Sequence, residues 1–99
     1  MVQYSVFSDG NLDGTIADLP ATVRWAWVAI LFEAEKLRGR IHMPVRVLAR
    51  RASISNDEAQ EALRILQEPD PLSGSQAHDG RRLLPVPNEE NWYDVATWE

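Results

Sequence analysis

Leu48-Ala49-Arg50-Arg51-Ala52-Ser53-Ile54-Ser55-Asn56-Asp57-Glu58-Ala59-Gln60-Glu61-Ala62-Leu63 is the stretch that decides the fold. Leu48 and Leu63 are spaced to close a core between two helices, and Ala49 and Ala59 are small where such helices cross. Ser53 holds a turn position that favours glycine, because the backbone there needs a positive φ. Ile54 plugs the corner. Ser55 and Glu58 form a capping box: the Ser55 hydroxyl accepts from the Glu58 N–H, and the Glu58 carboxylate accepts from the Ser55 N–H. Spacing, turn and cap agree on helix, tight turn, helix.

Upstream, the helix before the turn starts at Pro44, with Leu48, Ala49 and Ala52 apolar and Arg46, Arg50 and Arg51 basic. Downstream, the helix after it runs to about Glu68 with Ala59, Ala62, Leu63 and Leu66 as its buried stripe, and Pro69 and Pro71 end it. A longer first helix is predicted from Asp18 or Leu19 to about Arg38. Asp18 is its cap, Pro20 sits in its first turn, and Gly39 is its stop. Val23, Ala26, Trp27, Ile30, Ala34 and Leu37 make one apolar stripe. Trp25, Val28 and Phe32 lie on the other side, so this helix has a second face to bury, against the N-terminal segment, the last strand or another chain.

Gly39 to Met43 reads as a short strand. Arg82 to Val86 and Trp92 to Thr97 read as two more around a turn at Pro87–Asn91, with Pro85 confining its strand to an edge. Tyr4 to Phe7 suits a strand or an apolar strap, and Leu72 to Gly80 a polar loop. The resulting expectation is an α+β fold of the winged helix-turn-helix type: three helices, a short strand and a two-stranded C-terminal wing. Residues 1–17 form an N-terminal strap and residues 18–98 the domain.

Ninety-nine residues suit one domain. The chain has no cysteine, which excludes disulfides and thiolate metal sites and fits a reducing compartment. The apolar run Trp25 to Phe32 is too short to span a membrane, and the start Met1-Val2-Gln3-Tyr4 lacks signal-peptide character. A cytoplasmic protein is expected. The net charge is −5, yet its distribution is uneven. Lys36, Arg38, Arg40, Arg46, Arg50 and Arg51 form a basic block without one acid, between acidic flanks. Such segregation creates a local positive field despite a negative total.

Ile16-Ala17-Asp18-Leu19-Pro20, Val23-Arg24, Leu48 to Ala52, Glu61-Ala62-Leu63, Pro69-Asp70-Pro71 and Asp79-Gly80-Arg81-Arg82-Leu83 together resemble the N-terminal winged helix-turn-helix domain of phage replication proteins of the replisome-organizer type. The resemblance spans roughly residues 15 to 98. Its most specific piece is the Pro-Asp-Pro loop leading to Gly-Arg-Arg. Gly74 and Ser75 stand where similar proteins usually have an Arg and a Pro. The resemblance implies a phage or prophage origin and a part in replication-origin binding or helicase loading.

For the third helix, Asn56 and Gln60 suit adenine edges and Arg64 guanine, while Asp57 and Glu61 suit cytosine but repel phosphate. A simply solvated helix face is the alternative. Arg46, Arg50 and Arg51 suit phosphate contact from the second helix, or pairing with Asp57, Glu58 and Glu61. Arg81 and Arg82 suit contact from the wing, or pairing with Asp70 or Asp79. Trp25, Trp27, Trp92 and Trp98 read as core and interface, with one of Trp92 and Tyr93 facing outwards. His42 and His78 read as surface or structural residues.

No nucleophile elbow, phosphate loop, paired catalytic carboxylates or metal-ligand spacing is present, so binding without a cofactor is expected rather than catalysis. Duplex DNA is the expected partner, in phage replication or regulation. Six to ten phosphate contacts imply an affinity falling by roughly three to five orders of magnitude between 50 and 200 mM salt. The alternative is a protein-interaction module docking on a host or phage replication protein. A homodimer through Trp25, Val28 and Phe32 suits palindromic DNA.

Overall fold

The computed structural model describes residues 17–70 and 80–96. Six elements follow one another: α1 (Ala21–Leu37), β1 (Arg40–His42), α2 (Val45–Ala52), α3 (Asn56–Leu66), β2 (Leu83–Pro85) and β3 (Trp92–Val95). Three helices stand with one antiparallel sheet of strand order β1-β3-β2. The short strand is therefore not separate from the C-terminal hairpin; it forms one edge of the same sheet. The predicted N-terminal strap and most of the predicted polar loop lie outside the described residues.

α1 begins later than its sequence suggests. Pro20 is the flanking cap residue, with extended ψ of 151°, and no side chain caps the helix, so Asp18 does not do so. The Pro20 carbonyl instead accepts from the N–H groups of Val23 and Arg24, both at 3.0 Å. The stop is also displaced by one residue. Arg38, not Gly39, is the first residue to turn left-handed, at φ 59°, and Gly39 follows at 96°. The N–H groups of Arg38 and Gly39 both donate to the Ala34 carbonyl. This closure satisfies carbonyls that the helix end would otherwise leave orphaned.

α2 ends the same way. Ser53 is left-handed at φ 58°, and the Ile54 N–H donates back to Ala49 O at 2.9 Å. Ile54 packs its side chain against the core in doing so. Pro44 is the N-terminal flanking residue of α2, as it is of no use inside the ladder. α3 starts with the complete capping box: Glu58 N–H to Ser55 Oγ at 3.0 Å, and Ser55 N–H to Glu58 Oε1 at 2.9 Å. It ends at Leu66. Gln67 and Glu68 continue only as a tightened turn bonded to Arg64 and Ile65.

The core joins all three helices to one sheet face. Val23, Ala26, Trp27, Ile30, Leu31 and Ala34 come from α1, Leu48 and Ala49 from α2, and Ala59, Ala62, Leu63 and Leu66 from α3. Ile41, Met43, Leu83 and Val95 close it from the sheet side. Leu37, expected in the α1 stripe, is 45% exposed, and Leu31 takes its place in the core. Leu31 lies four residues after Trp27 and three before Ala34, so it shares their face. Leu37 lies in the last turn, where the chain leaves the helix for β1.

The strands are shorter than their apolar patterns, although hydrogen bonds run past their ends. Met43 N–H donates to Asn91 O, Val86 N–H to Trp92 O, and Ala96 N–H to Arg82 O. Pro85 lies on an edge strand, as its missing N–H requires. In the hairpin connection, Asn88 and Asn91 adopt positive φ, which asparagine tolerates. Their two turns leave Glu89 and Glu90 exposed at the tip.

Candidate nucleic-acid interface

α2 and α3 are joined by the three residues Ser53, Ile54 and Ser55. Their buried stripes fix what remains outside. On α2, Arg46, Arg50 and Arg51 are exposed, and on α3, Asn56, Asp57, Gln60, Glu61 and Arg64 are exposed. Arg46 and Arg50 are four apart and share a helix face, as do Asn56, Gln60 and Arg64.

The basic residues differ in how far they are already committed. Arg51 Nη1 lies 3.1 Å from Glu33 Oε1 on α1, an ion pair made without a well-directed hydrogen bond. None of the three α2 arginines pairs with Asp57, Glu58 or Glu61. Those acids are on α3, and the acid that α2 meets is on α1. Lys36 Nζ reaches the same Glu33 oxygen at 4.0 Å, within α1. Arg40 Nε and Nη2 hold Asp94 at 2.7 and 3.0 Å, a bidentate pair across the register of β1 and β3. Arg38, Arg46 and Arg50 make no ion pair among the described residues.

Arg64 is the most strongly held. Its Nε donates to Glu61 Oε1 at 2.9 Å, its Nη2 meets Glu61 Oε2, and its Nη1 meets Glu68 Oε2. The hydrogen bond from Arg64 holds the Glu61 carboxyl below its ordinary pKa, and the two carboxylates push the guanidinium further up. A guanidinium so placed is turned toward carboxylates one turn either side of it along the helix. Gln67 donates its side-chain N–H to Leu63 O at 3.0 Å and is likewise turned back on the helix. The side chains of Asn56 and Gln60 have no hydrogen-bond partner among the described residues.

Before the hairpin, Arg82 Nη2 lies 3.3 Å from Asp70 Oδ2, with side chains only 14% and 21% exposed. This contact ties the segment after α3 to the start of β2. Arg81 is half-buried, and its Nε is buried without a hydrogen-bond partner. The two arginines thus sit at the foot of the hairpin, whereas its tip is acidic.

The outer sheet face brings together Arg40, His42, Trp92 and Asp94. Register places His42 opposite Trp92 and Arg40 opposite Asp94. The rings of His42 and Trp92 are 5.0 Å apart and tilted by 33°. Trp92 therefore faces out, and Tyr93 packs against the core, where burial raises its pKa. Alternation along β1 and β3 implied such faces, but only the register pairs them. Of the partner-interface candidates on α1, Trp25 is 63% and Phe32 52% exposed, while Val28 is half-buried.

Among the described residues, no cluster of three His, Cys, Asp or Glu side chains is placed to hold a metal ion, and no helix is long and apolar enough to cross a membrane. No protein-family model matches the chain, and neither a curated protein nor a solved structure matches it.

Proposed function

We propose that the chain is a winged helix-turn-helix module that binds duplex DNA and acts by binding alone. α2 contacts the phosphate backbone and the exposed face of α3 lies in the major groove, the docking that this arrangement of helices favours. One observation carries the reading: Arg46 and Arg50 stand exposed, one turn apart, on the helix before the turn, and make no ion pair among the described residues. Element order supports the winged-helix assignment, with β2 and β3 as the wing. The sequence resemblance supports a phage origin and a role in replication initiation or its regulation.

The ion pairs lower the number of phosphates the module neutralises. With Arg40, Arg51, Arg64 and Arg82 held by carboxylates and Lys36 beside Glu33, the cations near α2 and the hairpin foot left for phosphates are Arg38, Arg46, Arg50 and the half-buried Arg81, which is three or four contacts. Affinity for duplex DNA should then fall roughly 40- to 150-fold between 50 and 200 mM salt, since each contact adds about 0.9 to the exponent. Fluorescence anisotropy across that range is the test. Absence of binding at the low-salt end sinks the reading.

The exposed Trp25 and Phe32 favour a second reading, docking on another protein or on a second copy through α1. Large aromatics at a surface are typical anchors of such contacts. Light scattering of the chain alone and with Trp25→Ala decides it for self-association: a monomer in both removes the dimer.

A further inference from the structure

We infer that the exposed face of α3 selects adenine over guanine, through the side-chain amides of Asn56 and Gln60; the inference rests on the DNA-binding reading above. An amide of Asn or Gln donates to adenine N7 and accepts from the adenine N6 amino group. Guanine offers acceptors at both N7 and O6, so the amide oxygen meets a like acceptor. The usual reader of guanine is a free Arg or Lys, and the arginine on this face is Arg64, which Glu61 and Glu68 hold from both sides. The clamp removes guanine reading and, by compensating the Glu61 charge, reduces the repulsion between α3 and the backbone. Glu61 is equally withdrawn from cytosine. Asn56 and Gln60 are left exposed with no competing partner among the described residues.

Spacing defines what the two amides span. Four residues of helix rise about 6 Å, so the pair reads adenines within about two base-pair steps of about 3.4 Å. Both side chains lie outside the core, so their removal leaves the packing of α3 intact.

Selection from a randomised duplex pool at 50 mM salt, followed by anisotropy on the selected sequence, is the experiment. Adenine should be enriched at one or two positions. Changing either A·T pair to G·C should cost roughly 5- to 150-fold in affinity. Substituting 7-deazaadenine, which lacks the major-groove N7 acceptor but keeps the minor-groove edge, should cost a similar factor. The double variant Asn56→Ala with Gln60→Ala should lose the preference and keep its salt dependence. Glu61→Gln with Glu68→Gln releases Arg64 and should add guanine selection. Equal affinity for A·T and G·C sites overturns the inference while leaving DNA binding standing. So does an A·T preference that survives the double variant or 7-deazaadenine, since groove width is then its source. Absence of binding to any duplex overturns the DNA-binding reading and this inference with it.

Discussion

α2 and α3 are neighbours, yet two of the three arginines of α2 and the one arginine of α3 have opposite fates, while Arg51 of α2 pairs with Glu33 of α1. Arg46 and Arg50 on α2 have no acid within one helical turn, and they make no ion pair among the described residues. Arg64 on α3 has an acid three residues before it and another four after it, and it is bonded to both. A formal charge count weighs the three alike. What a phosphate meets is the difference: a local positive field over α2, and over α3 a guanidinium already compensated. The acidic total of −5 therefore says little about the face that α2 presents.

The most direct way to break this comparison is to reverse the charges of α2 and remove that of α3. Arg46→Glu with Arg50→Glu should lower duplex affinity about 60-fold or more at 0.1 M salt, the factor expected from two lost phosphate contacts. Arg64→Ala should cost far less, because it removes no phosphate contact and only uncovers the Glu61 and Glu68 charges that the arginine compensates. Anisotropy titrations of both variants measure it. If Arg64→Ala proves as damaging as the α2 pair, the ion-pair clamp does not hold in solution and the contrast is lost.

The two helices also begin differently. α3 has a reciprocal side-chain cap, whereas α2 has none. Ser55→Ala leaves the Glu58 N–H without its partner and should destabilise the domain by about 0.5–2 kcal/mol. Urea denaturation followed by tryptophan fluorescence reports it, as a lower midpoint with an unchanged slope. An unchanged midpoint means that α3 is held by packing alone.

Their ends differ in the opposite sense. α2 closes through Ser53 in the left-handed region, and α3 through Gln67 at φ −90°. A non-glycine residue in that region costs about 1–2 kcal/mol, partly offset by the extra unfolded-state freedom that glycine brings. Ser53→Gly should therefore stabilise by a few tenths to about 1 kcal/mol, and Gln67→Gly should destabilise. The paired melts sharpen the comparison if they shift in opposite directions. A loss in Ser53→Gly means that the serine side chain contributes something its backbone angle conceals.

What was legible from the residues follows from how local each signal is. The capping box, the α3 stripe and the left-handed Ser53 depend on neighbours within five positions, and each is found where its spacing placed it. Leu31 and Leu37 were harder. Both suit the α1 period, and only the point where the chain turns into β1 decides between them. The ion pairs were the least legible. Arg40 and Asp94 stand 54 residues apart and meet only through the register of β1 on β3. Arg51 reaches Glu33 because α1 packs beside α2, so the acid it meets is not one of the nearest in sequence. Candidate contact residues could be named from composition and helical spacing. Which of them were already committed could not.

The smallest expected effect isolates the α3 clamp itself. Glu61 is exposed, and its carboxyl is held below its ordinary pKa mainly by the hydrogen bond from Arg64. A carboxyl depressed on folding contributes stability above its unfolded pKa, about 4.3 for Glu, and loses it as pH falls through the lower folded value. Wild type should therefore exceed Glu61→Gln slightly in melting temperature near neutrality, and the gap should close as the buffer is acidified below about pH 4. Raising salt at neutral pH should narrow it too, because exposed pairs are screened. Arg46→Ala has no such pair to lose and should show neither trend. If its melting temperature follows the same pH and salt course as that of Glu61→Gln, then Arg46 is itself ion-paired and the contrast between the helices fails at its origin.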